Sequence, residues 1–197
     1  MPDKNASAIN ALLKKAGISP ETTDVVLTVD AVLQKWRRRA MRRELGHKAL
    51  IDLKAGIDLA QLDVLIAIEG PEPEFGETEG ETMIATVAER LGIDPSRASR
   101  VVSEMVERGF ARRAVSQADA RRTIIELTES GRALVQAVQA YKFLVMGDFF
   151  SGWSAEDLDV FLPLLQRFAS WSEGMDRSAE KFADDIAELS KSIQPGR

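Results

Sequence analysis

Residues 95–108, Pro95-Ser96-Arg97-Ala98-Ser99-Arg100-Val101-Val102-Ser103-Glu104-Met105-Val106-Glu107-Arg108, combine hydroxyls and arginines at a spacing suited to recognition chemistry. At about 100° per residue, Ala98, Val101, Val102, Met105 and Val106 fall on one apolar stripe. Ser96, Ser99, Arg100, Ser103 and Glu107 project opposite, with Arg97 beside them. Small hydroxyls permit close approach to a base edge or a phosphate, and an arginine can fork onto guanine. An ordinary solvated helix face has the same composition, so this stretch alone leaves both readings open. A second cluster, Asp119, Arg121 and Arg122, lies in the polar segment 116–122.

The elements around these residues would hold them in place. Ile84, Val87, Ala88 and Leu91 are helically spaced over 82–91, and Gly92 supplies a helix end and a tight turn. Asp94 is a good N-cap and Pro95 suits the first helical position, so a second helix starts at once. After Gly109, residues 110–115 and 123–127 read as two strands joined by 116–122. Helix, turn, helix and basic hairpin in that order make a winged helix-turn-helix.

Here the sequence resembles a known family. Asp119-Ala120-Arg121, followed by Leu127-Thr128-Glu129-Ser130-Gly131, is similar to the wing and following helix start of the MarR family of transcriptional regulators. So are Leu91-Gly92-Ile93-Asp94-Pro95-Ser96 and Val106-Glu107-Arg108-Gly109-Phe110 before it. The likeness covers the central half of the chain closely and the flanks by helix order; it departs from the family at Met83-Ile84. It implies a mainly α fold, with a two-stranded wing on a DNA-binding domain over 48–127. A helical dimerisation domain would be built from 1–47 and 128–197. It further implies a homodimer gripping a pseudo-palindromic operator of double-stranded DNA, with Ser96, Arg97, Ser99, Arg100, Ser103, Arg121 and Arg122 at the DNA. Asp119 would hold Arg121 in position beside the minor groove.

Composition narrows the function classes. The 197 residues allow a sizeable core. The chain has no cysteine and one histidine, which excludes disulfides, thiolate zinc sites, thiol redox sensing and multi-histidine metal centres. No cofactor or metal is expected. No apolar run approaches a membrane span and the N-terminus lacks a signal-peptide design, so the expected location is the cytoplasm and no membrane partner is expected. The net charge of −5 is unevenly distributed. Residues 90–122 are net +4 and 35–48 net +6, while 69–81 and 154–188 are each −6. Binding depends on where charge sits, so a polarised acidic protein is compatible with a DNA partner.

Taken in order, Ile9, Leu12, Leu13 and Ala16 suggest a short helix closed by Gly17. Val25, Val29, Val32, Leu33, Trp36 and Ala40 suggest a long one over 24–45 with Gly46 as its stop and His47 just beyond. Trp36 on such a stripe fits a core position. The basic run 35–43 fits a solvated face, a phosphate contact or a neutraliser of the acidic segments. Trp36, Arg39 and Arg43 would lie along one helix side, an arrangement that would suit a carboxylated aromatic ligand. Residues 58–69 form the next helix, followed by an acidic loop over 71–81 expected to be exposed and mobile. Past the wing, Thr128 caps a helix to about Phe150 that would bury Leu134, Val138, Tyr141, Val145 and Phe149. Ser154 with Asp157 opens another that Pro163 should bend, and Phe182, Ile186, Leu189 and Ile193 mark a last one.

No catalytic constellation accompanies these elements: no cysteine nucleophile, phosphate loop, or serine paired with a base. The reading is therefore a transcriptional regulator, a homodimeric repressor released by a small aromatic or lipophilic effector. The alternative is a winged helix that serves only as a protein-contact module.

Overall fold

The computed structural model describes residues 4–70 and 81–193. In chain order the elements are α1 (Lys4–Lys15), α2 (Pro20–Arg42), α3 (Glu44–Asp52), α4 (Leu59–Glu69), α5 (Ile84–Leu91), α6 (Pro95–Glu107), β1 (Ala111–Val115), β2 (Thr123–Leu127), α7 (Glu129–Ser151), α8 (Ala155–Ala169), a 3-10 turn (Ser170–Gly174), α9 (Met175–Lys181) and α10 (Ala183–Ser192). The protein is mainly helical, with one two-stranded antiparallel sheet. The expected acidic loop lies outside the described residues, apart from Glu81. No helix among the described residues is long and apolar enough to cross a membrane.

Two compact units divide the chain: Arg42–Phe150, and Met1–Met41 with Ser151–Arg197. In the first, α4 is apolar around its circumference and buries Leu62, Val64, Leu65, Ala67 and Ile68. A helix of that composition belongs at the centre of its unit. Val87 of α5, Val102 and Met105 of α6, Ile125 of β2 and Val135 of α7 complete the core. Burying each such side chain contributes about 1.5 to 3 kcal/mol. The start of α4 is fixed by Asp58, whose carboxylate accepts the Gln61 N–H at 2.8 Å while the Gln61 side chain accepts the Asp58 N–H at 3.1 Å. That reciprocal pair satisfies two donors that a helix start leaves open.

The boundary expected at Gly46 is displaced. The chain breaks at Arg43, which adopts a left-handed backbone with φ 52°, and a new helix, α3, runs through Gly46 and His47. A left-handed residue ends a helix regardless of its apolar pattern. The Arg43 guanidinium forks onto both carboxylate oxygens of Asp63, a bidentate charge-assisted pair that holds this turn against α4. Gly46 has a different task. A Cβ there would meet Leu59 at 3.2 Å, so the glycine allows α3 to approach α4 closely.

α7 is anchored by its first turn and by one later contact. The Thr128 hydroxyl donates to the Gly109 carbonyl at 2.7 Å and accepts the Gly131 N–H at 3.1 Å, while the Thr128 N–H donates to the Phe110 carbonyl at 3.0 Å. Further along, the Tyr141 hydroxyl donates to Asp52 at 2.7 Å, and Lys48 donates to the same carboxylate. Lys48 foremost, then Tyr141, hold the Asp52 carboxyl below its ordinary range. A depressed carboxyl supplies stability above its unfolded value and loses it as pH falls through the folded one, so this tie weakens in acid. Two residues expected inside, Val145 and Phe149, are 44% and 61% exposed.

In the other unit the Lys15 ammonium pairs with Glu188 and lies 3.5 Å from Asp185, linking α1 to α10. Ser154 caps α8 by accepting the Asp157 N–H at 3.1 Å, and Pro163 lies within that helix. Trp36, for which the sequence suggested a core position, is 68% exposed, and Val25 and Val32 of the same helix are 60% and 57% exposed.

The α7 anchor predicts opposite effects of the same substitution at two glycines. A Cβ at Gly131 would lie 2.0 Å from the Phe110 carbonyl oxygen, whereas one at Gly147 meets nothing within 4 Å. Gly131→Ala is expected to cost about 1 to 3 kcal/mol or more, and Gly147→Ala to gain roughly 0.5 to 1 kcal/mol from helix propensity. Urea unfolding followed by circular dichroism measures both.

Candidate nucleic-acid interface

The order of charges and caps along 92–108 places one polar helix face outward. Gly92 closes α5 in a left-handed conformation at φ 60°, and its N–H and that of Ile93 satisfy the Glu89 and Ala88 carbonyls. Asp94 then accepts the N–H groups of Ser96 at 2.8 Å and Arg97 at 3.3 Å, with Pro95 at the first helical position. These caps leave only three residues between α5 and α6, a tight turn.

α6 buries Ala98, Val101, Val102 and Met105. Ser96, Arg97 and Arg100 are exposed, and Ser99 and Ser103 are half-buried. Neither Arg97 nor Arg100 has an ion-pair partner among the described residues. Both guanidiniums therefore face solvent with their donors available to an anionic partner.

The hairpin is registered with Ala111 opposite Leu127, Arg113 opposite Ile125 and Val115 opposite Thr123. Alternation puts Ala111, Arg113 and Val115 on one face and Arg112 and Ala114 on the other. The consequence for two adjacent arginines is large. Arg112 donates to Glu126 at 2.9 and 2.7 Å, directly across the strand pair, and is neutralised there. Arg113 instead donates to the Ser103 hydroxyl at 3.1 Å, joining the hairpin to the outward face of α6. Sequence reasoning did not select Arg113. Its signal, the odd position in a strand whose first residue is buried, depends on knowing which face packs on α6.

The tip is a knitted turn rather than an open loop. Buried Ser116 accepts the N–H groups of Ala118 at 3.1 Å and Asp119 at 2.9 Å, and its own N–H donates to the Arg122 carbonyl at 3.0 Å. Glu81, 36 residues upstream, accepts the Gln117 N–H at 2.7 Å. The Ser116 hydroxyl foremost, then the Gln117 and Ala118 N–H groups, hold the Glu81 carboxyl below its ordinary range. By the same sign, this brace is complete above the ordinary carboxylate range and is lost as pH falls through the depressed value. Glu81 was expected to belong to a plain loop, and nothing local in the sequence marks it as a brace.

Asp119 makes two contacts with separate partners. Its carboxylate accepts the Arg121 backbone N–H at 3.1 Å and lies 3.4 Å from the Arg122 guanidinium. It thus fixes the main chain at Arg121 and the side chain at Arg122. The Arg121 guanidinium has no ion-pair partner among the described residues. Exposed guanidiniums on α6 and at the hairpin tip, with Arg113 joining the two elements, suit phosphates and groove edges.

The three residues expected to form an aromatic-acid site are not placed on one helix side. Trp36 and Arg39 are on α2, whereas Arg43 lies beyond its end, in the left-handed turn, with its guanidinium on Asp63.

Comparison with known proteins agrees with this geometry. Residues 55–122 match the model of the MarR family. No curated protein sequence matches the chain. Among solved structures, the chain is similar to the YusO protein from Bacillus subtilis at 20% identity and a TM-score of 0.55, over 78% of this chain and 99% of that one. It is similar to a MarR family protein from Bacillus stearothermophilus at 17% identity and a TM-score of 0.57, over 75% and 94% of the two chains. The multiple antibiotic-resistance repressor (MarR) from Listeria monocytogenes 4b F2365 matches at 15% identity and a TM-score of 0.53, over 76% and 96%. Likenesses at these identities establish the fold.

The two hairpin arginines should separate in solution. Arg113→Ala is expected to lower the salt slope of duplex binding by about one unit per winged unit, because it removes a cation beside α6. Arg112→Ala, whose charge Glu126 already neutralises, should leave the slope nearly unchanged. Asp119→Ala should weaken binding despite deleting a negative charge. Fluorescence anisotropy at several salt concentrations reads all three.

Proposed function

We propose that the protein, whose residues 55–122 match the model of the MarR family, is a homodimeric, sequence-specific DNA-binding repressor released by a small aromatic or lipophilic effector. One observation carries the DNA reading: the uncommitted guanidiniums of Arg97 and Arg100 on the outward face of α6, together with Arg121 at the hairpin tip. A helix with small hydroxyls and arginines near its N-terminal half enters the major groove, while a basic hairpin reaches the adjacent minor groove. Ser96, Ser99 and Ser103 supply short polar contacts, and Arg122 is aimed by Asp119.

Exposed apolar residues support the dimer. Phe143, Leu144 and Phe149 on α7 are 64%, 73% and 61% exposed, and in the other unit Val160 and Leu162 on α8 are 62% and 53% exposed. Apolar surface of this extent in a folded chain marks an association face. A two-fold dimer would present two copies of α6, matching a pseudo-palindromic operator. A ligand that prefers one arrangement of those copies would shift the population away from the DNA-fitting one.

Titration of duplex DNA, random and operator-derived, across salt concentrations tests this reading. The expected result is binding to both with a steep negative salt slope, and tighter binding to the operator. Arg100→Ala should lose roughly 1 to 3 kcal/mol on the operator and far less on random DNA if its guanidinium forks onto a base. Absence of DNA binding at low salt, with capture of an acidic protein partner instead, would support the protein-contact alternative. Sedimentation at micromolar concentration should give a dimer; a cooperative, well-folded monomer would remove the two-fold part of the proposal.

A further inference from the structure

The hydrogen bond between β1 and α6 has a direction, and that direction constrains what the outward face of α6 can bind. The Arg113 guanidinium donates to the Ser103 hydroxyl at 3.1 Å, so the serine oxygen is the acceptor. A hydroxyl inside a helix commonly returns its own proton to the carbonyl one turn back. Thr23 does so in α2, donating to the Ser19 carbonyl at 3.0 Å. Ser103 makes no such bond among the described residues, where Arg113 is its side-chain partner. Its proton is therefore uncommitted, and an oxygen that already accepts from a guanidinium has donation left to offer. The other N–H groups of Arg113 also lack a partner among the described residues.

This pair stands where the hairpin parts from α6. Ala111, Arg113 and Val115 share one face of β1; Ala111 is buried, whereas Val115 is 58% exposed. The face leaves the core between those two residues, with Arg113 at the point of departure. A protein that sets α6 in a major groove and the hairpin tip in the adjacent minor groove must cross the sugar-phosphate strand that separates them. A group at the junction of helix and hairpin lies over that strand.

The chemistry of the pair selects the same target. Ser103 and Arg113 side by side present O–H and N–H donors. A phosphodiester offers acceptors alone, whereas a base pair sets an amino donor beside its acceptors in the major groove. An all-donor pair is matched to the phosphodiester.

We propose that Ser103 and Arg113 form a clamp for one phosphodiester of the DNA strand between the two grooves, in which Arg113 both contacts the phosphate and fixes Ser103 as a donor. The inference rests on the DNA-binding reading above and divides its contacts into two classes. One donor of the clamp comes from α6 and the other from the hairpin, so a single phosphate sets how the two elements stand on the duplex. Ser103 thereby positions the reading helix, and discrimination between sequences is left to Ser96, Ser99 and Arg100 in the first turns of α6.

The test uses the full-length protein, a duplex selected for tight binding from a randomised pool, and an unrelated duplex of the same length. Ser103→Ala should weaken binding to both duplexes by the same factor, about five- to tenfold, without changing the salt slope, because a hydrogen bond is lost and no charge. Ser103→Thr, which keeps the hydroxyl, should recover most of that loss. In an Arg113→Ala background, Ser103→Ala should add little, since the direction of the hydroxyl is already lost. Methylphosphonate linkages, each replacing one phosphodiester by a neutral group, locate the contact. One position in the selected duplex should weaken the native protein on the order of tenfold and leave the doubly substituted variant nearly unaffected. Additive effects of the two substitutions, no recovery in Ser103→Thr, or no linkage that separates native from doubly substituted protein would overturn the clamp. So would a loss in Ser103→Ala that is confined to the selected duplex and vanishes when a guanine there is replaced by 7-deazaguanine, which would put Ser103 on a base edge. A native protein that binds neither duplex at low salt removes the DNA-binding reading and the clamp together. Native binding that Ser103→Ala leaves unimpaired removes the clamp alone.

Discussion

Burial of one stripe on α6 is the constraint from which the functional face follows. Ala98, Val102 and Met105 are fully inside, packed with α4, α5 and the first strand, so the azimuth of the helix is set by apolar contact. Rotating α6 by one residue, about 100°, would expose those side chains and bury arginine in their place. The outward row of hydroxyls and guanidiniums is thus the complement of the core stripe. Asp94 and Pro95 fix where the helix begins, which sets how far along its axis Ser96 and Arg97 stand.

The hairpin depends on a different contact. Thr128, Gly131 and the carbonyls of Gly109 and Phe110 form a clasp at the point where the sheet meets α7. Only a residue without a Cβ fits against the Phe110 carbonyl. With the base of the hairpin fixed in this way, the two-residue period of β1 assigns opposite fates to consecutive arginines. Arg112 is spent on Glu126 and Arg113 reaches Ser103. Glu81 and Ser116 then tie the tip from the side.

Charge distribution makes an acidic chain compatible with the anionic partner proposed above. The net charge of −5 is an average over segments of opposite sign, and long-range attraction is governed by the basic segments. Several cations in those segments are nevertheless committed within the fold. Arg43 is bound to Asp63, Arg112 to Glu126 and Arg122 lies beside Asp119. The guanidiniums that remain without an ion-pair partner among the described residues on α6 and at the hairpin tip, those of Arg97, Arg100 and Arg121, are a small subset chosen by geometry.

The sequence by itself determined the helix-turn-helix and its hairpin, because each is set by short-range physics. Gly92, Asp94 and Pro95 specify a turn and a helix start from local hydrogen bonding, the apolar spacing of 95–108 specifies which face is buried, and Thr128 with Gly131 marks the next helix. Outward placement of Ser96 and Arg100 follows directly from that period. Features that depend on contacts between distant residues were not legible. The break at Arg43 requires Asp63, the brace at Glu81 requires Ser116 and Gln117, and the role of Arg113 requires Ser103 on another element. The exposure of Trp36, Val145 and Phe149 has a further reason: periodicity shows that a stripe is apolar, while what covers it depends on surfaces brought together only in three dimensions. Local pattern is encoded within a few residues of itself, whereas the partner of an arginine or a tryptophan is decided by tertiary packing.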